Sequence, residues 1–382
     1  MRVLHLFTIS FSLFFLFACT SEQKQESDTT TSMNTENQSV KVLIGTYTGQ
    51  GSEGIYQFDF DPMGGMLTGK KLVATTTSPS YVVMSEDRQY VYAVNETAPG
   101  NVSAFQWNDD KTQLQAINQM SSEGEHPCHI ELNGDGNLVA VSNYSSGNVS
   151  VYRLNKDQGL EPNPVVYQHE GSGPVKPNQT SAHAHCAKFD PNGKFLYVVD
   201  LGIDQVITYP VKEDGSVGEA SSRLIFDPGD GPRQLTFHPS RNLAFIINEL
   251  SNSIVSVNVN HQTGELTKIA KISTLPDDFE GKSYCADIHI TSNGKFLYGS
   301  NRGHNSIAIF AVAEDGQLEP LGTESVHGDW PRYFTLSPNE RHLLVANQNS
   351  DNITIFEVDP QTGLLSYTGN QVRISKPVVM KF

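Results

Sequence analysis

A sixteen-residue spacing recurs six times along this chain. It runs from Pro79 to Asn95, Pro127 to Asn143, Ala184 to Asp200, Pro232 to Asn248, Cys285 to Asn301 and Pro331 to Asn347. Between the two ends lie an apolar run, a Gly/Asp/Asn turn and a second apolar run, as in FDPNGKFLYVVD (189–200) and LSPNERHLLVAN (336–347). Successive copies start 48, 57, 48, 53 and 46 residues apart. A period of that size, built from short strands and turns, predicts a radial array of small sheets. Each unit is too short to cover its own apolar faces and must stack on its neighbours.

Apolar residues alternate in stretches such as NVSAF (101–105), NVSVY (148–152) and NITIF (352–356), and no long segment shows a helical period. The chain is therefore expected to be all-β. The 31 Gly and 19 Pro suit many tight turns. A net charge of −16 argues against nucleic acid as a partner.

Each repeat is expected to supply one four-stranded blade whose innermost strand begins at the Pro column. Six repeats account for residues 79 to about 375. The ends leave KPVVMKF, with Pro377 in the Pro column, and an N-terminal stretch of strands beginning at Val42. Together they predict a seventh blade, so that 41–382 forms a seven-bladed β-propeller closed by its C-terminal strand. Such closure removes the exposed edges of the ring.

The residues before it read as an address. Arg2 precedes an apolar stretch from Val3 to Ala18, short for a membrane span and suited to a signal peptide (1–18). Leu16-Phe17-Ala18-Cys19 resembles a bacterial lipobox, in which Cys19 would be acylated and become the new N-terminus. Residues 19–40 would then be a lipidated cysteine and a polar tether. A cell-envelope location follows, with the lipid as the only membrane contact and a monomer as the expected state. An ordinary cleaved secretory signal is the alternative. Cys128, Cys186 and Cys285 remain in the body, and an odd number argues against a disulfide framework.

Antiparallel geometry brings the residues one after the Pro column and one after the Asn column to the same mouth of the central channel. The first set reads Ser80, Cys128, His185, Arg233, Ala286, Arg332 and Val378. The second reads Glu96, Tyr144, Leu201, Glu249, Arg302 and Gln348. Three arginines, a histidine and two glutamates thus converge on one rim, the kind of place where a rigid scaffold carries a ligand site. A further column (Val83, Glu131, Lys188, Thr236, His289, Thr335, Met380) is partly charged and reads as channel lining. The Asn column reads as structural, its side chains hydrogen-bonding turn backbone. Arg233 and Glu249 could be no more than an ion pair within one blade. His183 and His185, two apart on a strand, would face the same way and could be metal ligands, but no third ligand motif accompanies them. No cofactor or metal is expected. Neither a nucleophile elbow nor a dinucleotide fingerprint occurs.

The stretches IGTYT (44–48), YAVNE (92–96), HPCHI (126–130), SAHAH (181–185), GPRQLTFHP (231–239), INELSNS (247–253), SNRGHNSIAIF (300–310), PRYFTLSP (331–338) and VANQNSDNI (345–353) resemble the lactonase family of seven-bladed propellers. That family includes a propeller-type 6-phosphogluconolactonase and a fungal carboxymuconate-cyclising enzyme. The resemblance covers nearly all of 41–382. It implies an active site made of His185, Arg233, Glu249 and Arg302, the residues the rim geometry also selects. Gln234 stands where the family pattern has histidine, and Ala182 where proline is common.

The implied reaction is hydrolysis of sugar-acid lactones. Glu249 or His185 would act as base, with Arg233 and Arg302 binding an anionic substrate and its oxyanion. Arg332, His183, Gln348 and Glu96 would contact the remainder of the substrate. On this reading Glu249→Gln would remove a base and leave folding intact. Two alternatives stay open: an envelope-anchored propeller that binds a ligand or protein without catalysis, and a cycloisomerase.

Overall fold

A computed structural model describes residues 39–382. The signal segment, Cys19 and nearly all of the tether lie outside the described residues. The chain forms seven sheets of four antiparallel strands each. In one blade Pro232–Phe237 lies innermost, followed outward by Leu243–Asn248, Ser253–Val259 and Leu266–Ser273.

The last blade is shared by the two ends. Pro377–Lys381 is its inner strand and pairs antiparallel with Val40–Thr46, with Ile44 opposite Met380. Gly45 sits at the tightest point of this closure. A Cβ there would collide with the Pro79 carbonyl and with the Val379 side chain, so IGTYT needs a glycine at its second position.

The apolar core lies between blades rather than within them. One cluster joins Val42, Ile44 and Val379 of the shared blade to Val82 and Val91 on one side and to Tyr333 and Leu344 on the other. This explains a departure from the simple alternation read in the sequence. Most second strands are buried along their whole length, as in Leu243–Asn248 and His342–Asn347, because neighbouring blades cover both faces. Outer strands such as Leu266–Ser273 are the most exposed.

The inner strands share a second irregularity. Pro232 pairs with Asn248, but Gln234 pairs with Ile247, so Arg233 is an extra residue left out of the ladder. The same one-residue slip leaves out Cys128, His185, Arg332 and Val378, and it occurs between Cys285 and Ile288. In the blade that starts at Pro79, bonds from Glu96 N to Ser78 O and from Val94 N to Tyr81 O carry the same slip past Ser80. A bulge frees one side chain from the ladder and re-aims it.

The Asn column is structural: Asn248 and Asn347 donate to Ser253 and Thr354 of their own blades, and the other members reach the crossover. Asn95, Asn143 and Asn301 donate through Nδ2 to the carbonyls of Thr77, Ser122 and Thr274, which lie on the crossover arriving from the preceding blade. Asp200 does the same work as an acceptor. Its Oδ1 takes the His183 and Gly202 amides at 2.7 and 2.9 Å, and its Oδ2 meets His169 Nδ1 at 2.7 Å. The channel column needs one correction: Lys381, not Met380, holds the shared blade's position. Met380 is buried in the core between blades.

Truncation before Pro377 should destabilise the whole ring. It uncovers a strand edge and removes Val378, Val379 and Met380, all 2% exposed or less, each worth about 1.5–3 kcal/mol of burial. Thermal unfolding should show a drop of many degrees, and an unchanged midpoint would refute the shared blade as a structural closure.

Candidate active site

The bulges place His185, Arg233 and Arg332 at one mouth of the channel, together with Ser80 and Cys128. The second strands bring their own residues to the same mouth. Glu249 Oε2 receives Arg233 Nε at 2.9 Å within its blade and Arg302 Nη2 at 2.7 Å from the next blade. The pairing of Arg233 with Glu249 is therefore real, but it is half of a three-residue bridge between blades. Arg233 Nη1 donates to the Ala286 carbonyl. Arg302 also donates to the carbonyls of Cys285 (2.9 Å) and Tyr284 (3.3 Å) and lies over the Trp330 ring at 5.2 Å.

Arg332 is held differently. Its guanidinium covers the Tyr47 ring at 5.4 Å, and its Nη2 stands 3.7 Å from Glu96 Oε2. Tyr47 Oη donates to Glu96 Oε1 at 2.8 Å. No hydrogen bond of normal length occupies the Arg332 fork among the described residues. Tyr144 completes the wall, its ring stacked on His183 at 4.5 Å and meeting His185 edge-on at 5.7 Å.

The two histidines do not act as a pair. His185 is the bulged residue, so the alternation linking it to His183 is broken, and His183 Nδ1 bonds the Tyr144 carbonyl at 2.8 Å. Four polar atoms of this rim are buried without a hydrogen-bond partner among the described residues: His185 Nδ1, Gln348 Oε1, Ser80 Oγ and Glu96 Oε2. A site built for a polar ligand leaves such atoms waiting. Tyr47 and Trp330 were not singled out by the sequence reading. Tyr47 lies inside the IGTYT stretch, and that motif was the available signal.

The profile of the family described as "Lactonase, 7-bladed beta-propeller" matches residues 41–382. The chain belongs to the lactonase family. A Bacillus subtilis protein named 6-phosphogluconolactonase is 37% identical over 89% of this chain and 97% of its own length. One of the same name from Formosa agariphila is 33% identical over 85% of this chain and 94% of its own. The solved structure of a periplasmic gluconolactonase from Pseudomonas aeruginosa superposes with a TM-score of 0.85 at 33% identity, covering 89% of this chain and 98% of that one.

In this lactonase-family rim, burial and charge act against each other. Burial alone would raise the Glu249 pKa, but Arg302, Arg233 and Arg332 outweigh it and hold the carboxyl below its usual range. Burial brings Arg302 down to about 10, partly offset by Glu249, so it stays charged at neutral pH. Burial disfavours charge on Arg332 too, yet Tyr47 and Glu96 hold its pKa above the ordinary value. His185 lies well below the usual imidazole range because of burial and then of Arg233, Arg332 and Arg302. It is neutral at pH 7, with one nitrogen unpartnered.

These charges change the expectation for Glu249→Gln. Glu249 is the counter-charge of two arginine side chains only 4% and 6% exposed. Removing one partner of a buried ion pair costs about 3–5 kcal/mol, so this variant should be measurably destabilised in denaturant titration. The pH dependence has a defined sign. A carboxylate with a depressed folded pKa contributes stability above its unfolded pKa and loses it as pH falls through the folded value. The stability gap between the wild type and a folded variant such as Glu249→Met should therefore be full above pH 4.5 and narrow as pH falls below it.

Proposed function

We propose that this protein hydrolyses aldonolactones, with a phosphorylated sugar lactone of the 6-phosphoglucono-1,5-lactone type as the preferred substrate. The carrying observation is the unequal engagement of the three arginines. Arg233 and Arg302 share Glu249 and donate to backbone carbonyls, whereas Arg332 lies over Tyr47 and, among the described residues, pairs with a glutamate no nearer than 3.7 Å. Three guanidinium charges against two carboxylates leave the rim net positive. A phosphoryl group carries roughly −1.5 to −2 at neutral pH and suits the open Arg332 fork. The names of the relatives from Bacillus subtilis and Formosa agariphila support the same substrate.

His185 is the better base. Glu249 is clamped by two arginines and held weakly basic, while His185 is neutral with Nδ1 free. In the proposed reaction His185 takes a proton from water as the oxygen attacks the lactone carbonyl. The oxyanion faces Arg233, whose Nη2 donates to none of the described residues. The tetrahedral intermediate then collapses and the ring C–O bond breaks. His185 returns its proton to the leaving alkoxide, giving the open hydroxy acid. The arginines that depress the His185 pKa also make its protonated form a strong acid toward that alkoxide.

Rates must be taken above the spontaneous opening of the lactone. Arg233→Ala should lower kcat about a hundred- to a thousandfold, as loss of one oxyanion donor does. Arg332→Ala should mainly raise KM for the phosphorylated lactone and change that for the plain lactone little. The kcat/KM profile should stay flat through pH 6.5 and fall only at lower pH, because the His185 pKa is depressed. No excess hydrolysis with any aldonolactone, with or without added divalent metal, would overturn the reading.

We further place the protein in the cell envelope, held by an acylated Cys19. The Leu16–Cys19 motif and the periplasmic designation of the Pseudomonas aeruginosa relative support this. Cys19→Ala should move the protein from the membrane fraction to the soluble one, and continued membrane association would count against the anchor.

A further inference from the structure

Beneath the arginine rim the channel carries charged groups for which lactone opening has no use. Tyr81 and Tyr333 meet edge to face with centroids 5.9 Å apart and line the floor of the rim. Lys381 reaches the same two rings from its own strand, its Nζ 4.9 Å from the Tyr81 centroid and 5.3 Å from that of Tyr333. It also lines a separate cavity of about 410 Å³, together with Met84, Glu86, Arg88, Glu131 and Phe382. Glu86 and Arg88 are exposed, which opens this cavity to solvent.

Lys381 is short of partners. Glu131 is engaged by Lys188 at 3.4 Å and Asp287 by His289 at 2.9 Å, and Lys381 forms no ion pair among the described residues. Desolvation and a neighbouring cation are the two conditions that activate a lysine amine. Burial and then Lys188 bring the Lys381 pKa down to about 8, against the opposing pull of Glu131 and Asp287. The tyrosine faces also favour the ammonium form, and the net direction remains downward.

We propose that Lys381 is a nucleophilic amine site, reached from the cavity, that captures small uncharged aldehydes as a Schiff base. The neutral Nζ attacks the carbonyl carbon, and the oxygen takes up a proton to give a carbinolamine. Loss of that hydroxyl as water leaves a C=N bond, so one amine and one aldehyde yield one imine and one water. Glu131 shares the cavity lining with Lys381, and solvent in the open cavity supplies and takes up the protons. Glu86 and Arg88 at the mouth offset each other and Glu131 is paired with Lys188, so the lining does not select a charged ligand. The site is independent of the lactone reading, because the tyrosine pair separates it from the arginines.

The test uses the intact chain with limiting glycolaldehyde and cyanoborohydride, followed by digestion and mass spectrometry of each lysine over time. A pKa near 8 gives on the order of a hundredfold more free amine at neutral pH than an ordinary lysine. Burial slows access, so Lys381 should be alkylated at least about tenfold faster than the exposed Lys111 and Lys156. Lys188→Met, checked for an intact thermal transition, should slow the labelling of Lys381 severalfold, because a neighbouring cation is lost and Glu131 is freed. Labelling of Lys381 no faster than that of the exposed lysines overturns the proposal. So does labelling at an unchanged rate in the folded Lys188→Met protein.

Discussion

Closure of the ring is the constraint on which everything else rests. A blade in isolation would expose both faces of its second strand, which is apolar along its length. Those faces are covered only when a blade stands on either side, and a seventh blade exists only when Pro377–Lys381 pairs with Val40–Thr46. Chain ends that are usually the weakest part of a domain are here the joint that makes every other interface possible. The Asn column serves the same end from the opposite direction. At Asn95, Asn143, Asp200 and Asn301 it ties the second strand to the crossover that arrives from the neighbouring blade, so these blades are fastened at the rim as well as packed along their faces.

The site inherits this arrangement. Glu249 joins Arg233 of its own blade to Arg302 of the next, so the charges proposed for catalysis are also an inter-blade bond. Folding energy and chemistry are therefore coupled at these three residues. Arg332 and His185 are less committed. Among the described residues one has an open fork and the other an unpartnered nitrogen, and the proposed function assigns both to the substrate. Burial and the arginines together keep the histidine of this pocket neutral.

Much of this was legible in the chain. The sixteen-residue spacing marks the hairpin of each repeat, and the leftover strands at the ends reveal the shared blade. Counting one residue past each column selects His185, Arg233, Glu249, Arg302, Arg332 and Glu96, which the structure brings to one mouth. What could not be read was the bulge. A period of two places His183 beside His185, whereas the extra residue in the ladder separates their roles. Nor does spacing reveal Tyr47 and Trp330, because each meets its arginine through contacts between distant parts of the chain. Met380 was misplaced in the channel by one position. In a strand that small error moves a side chain from the channel to the core, and it hid Lys381.

The bulge also has a bearing on how such a ring can change. The residue it frees contributes nothing to the pairing of its strand, so its side chain can be exchanged while the ladder on either side stays intact. Seven blades present seven of these detached positions around one opening. Here Ser80, Ala286 and Val378 fill theirs with small or inert groups beside the arginines and the histidine. The scaffold thus behaves like a socket with interchangeable contacts. New ligand chemistry at these positions would leave the strand ladder unchanged, although each is buried and a larger side chain must find room among its neighbours.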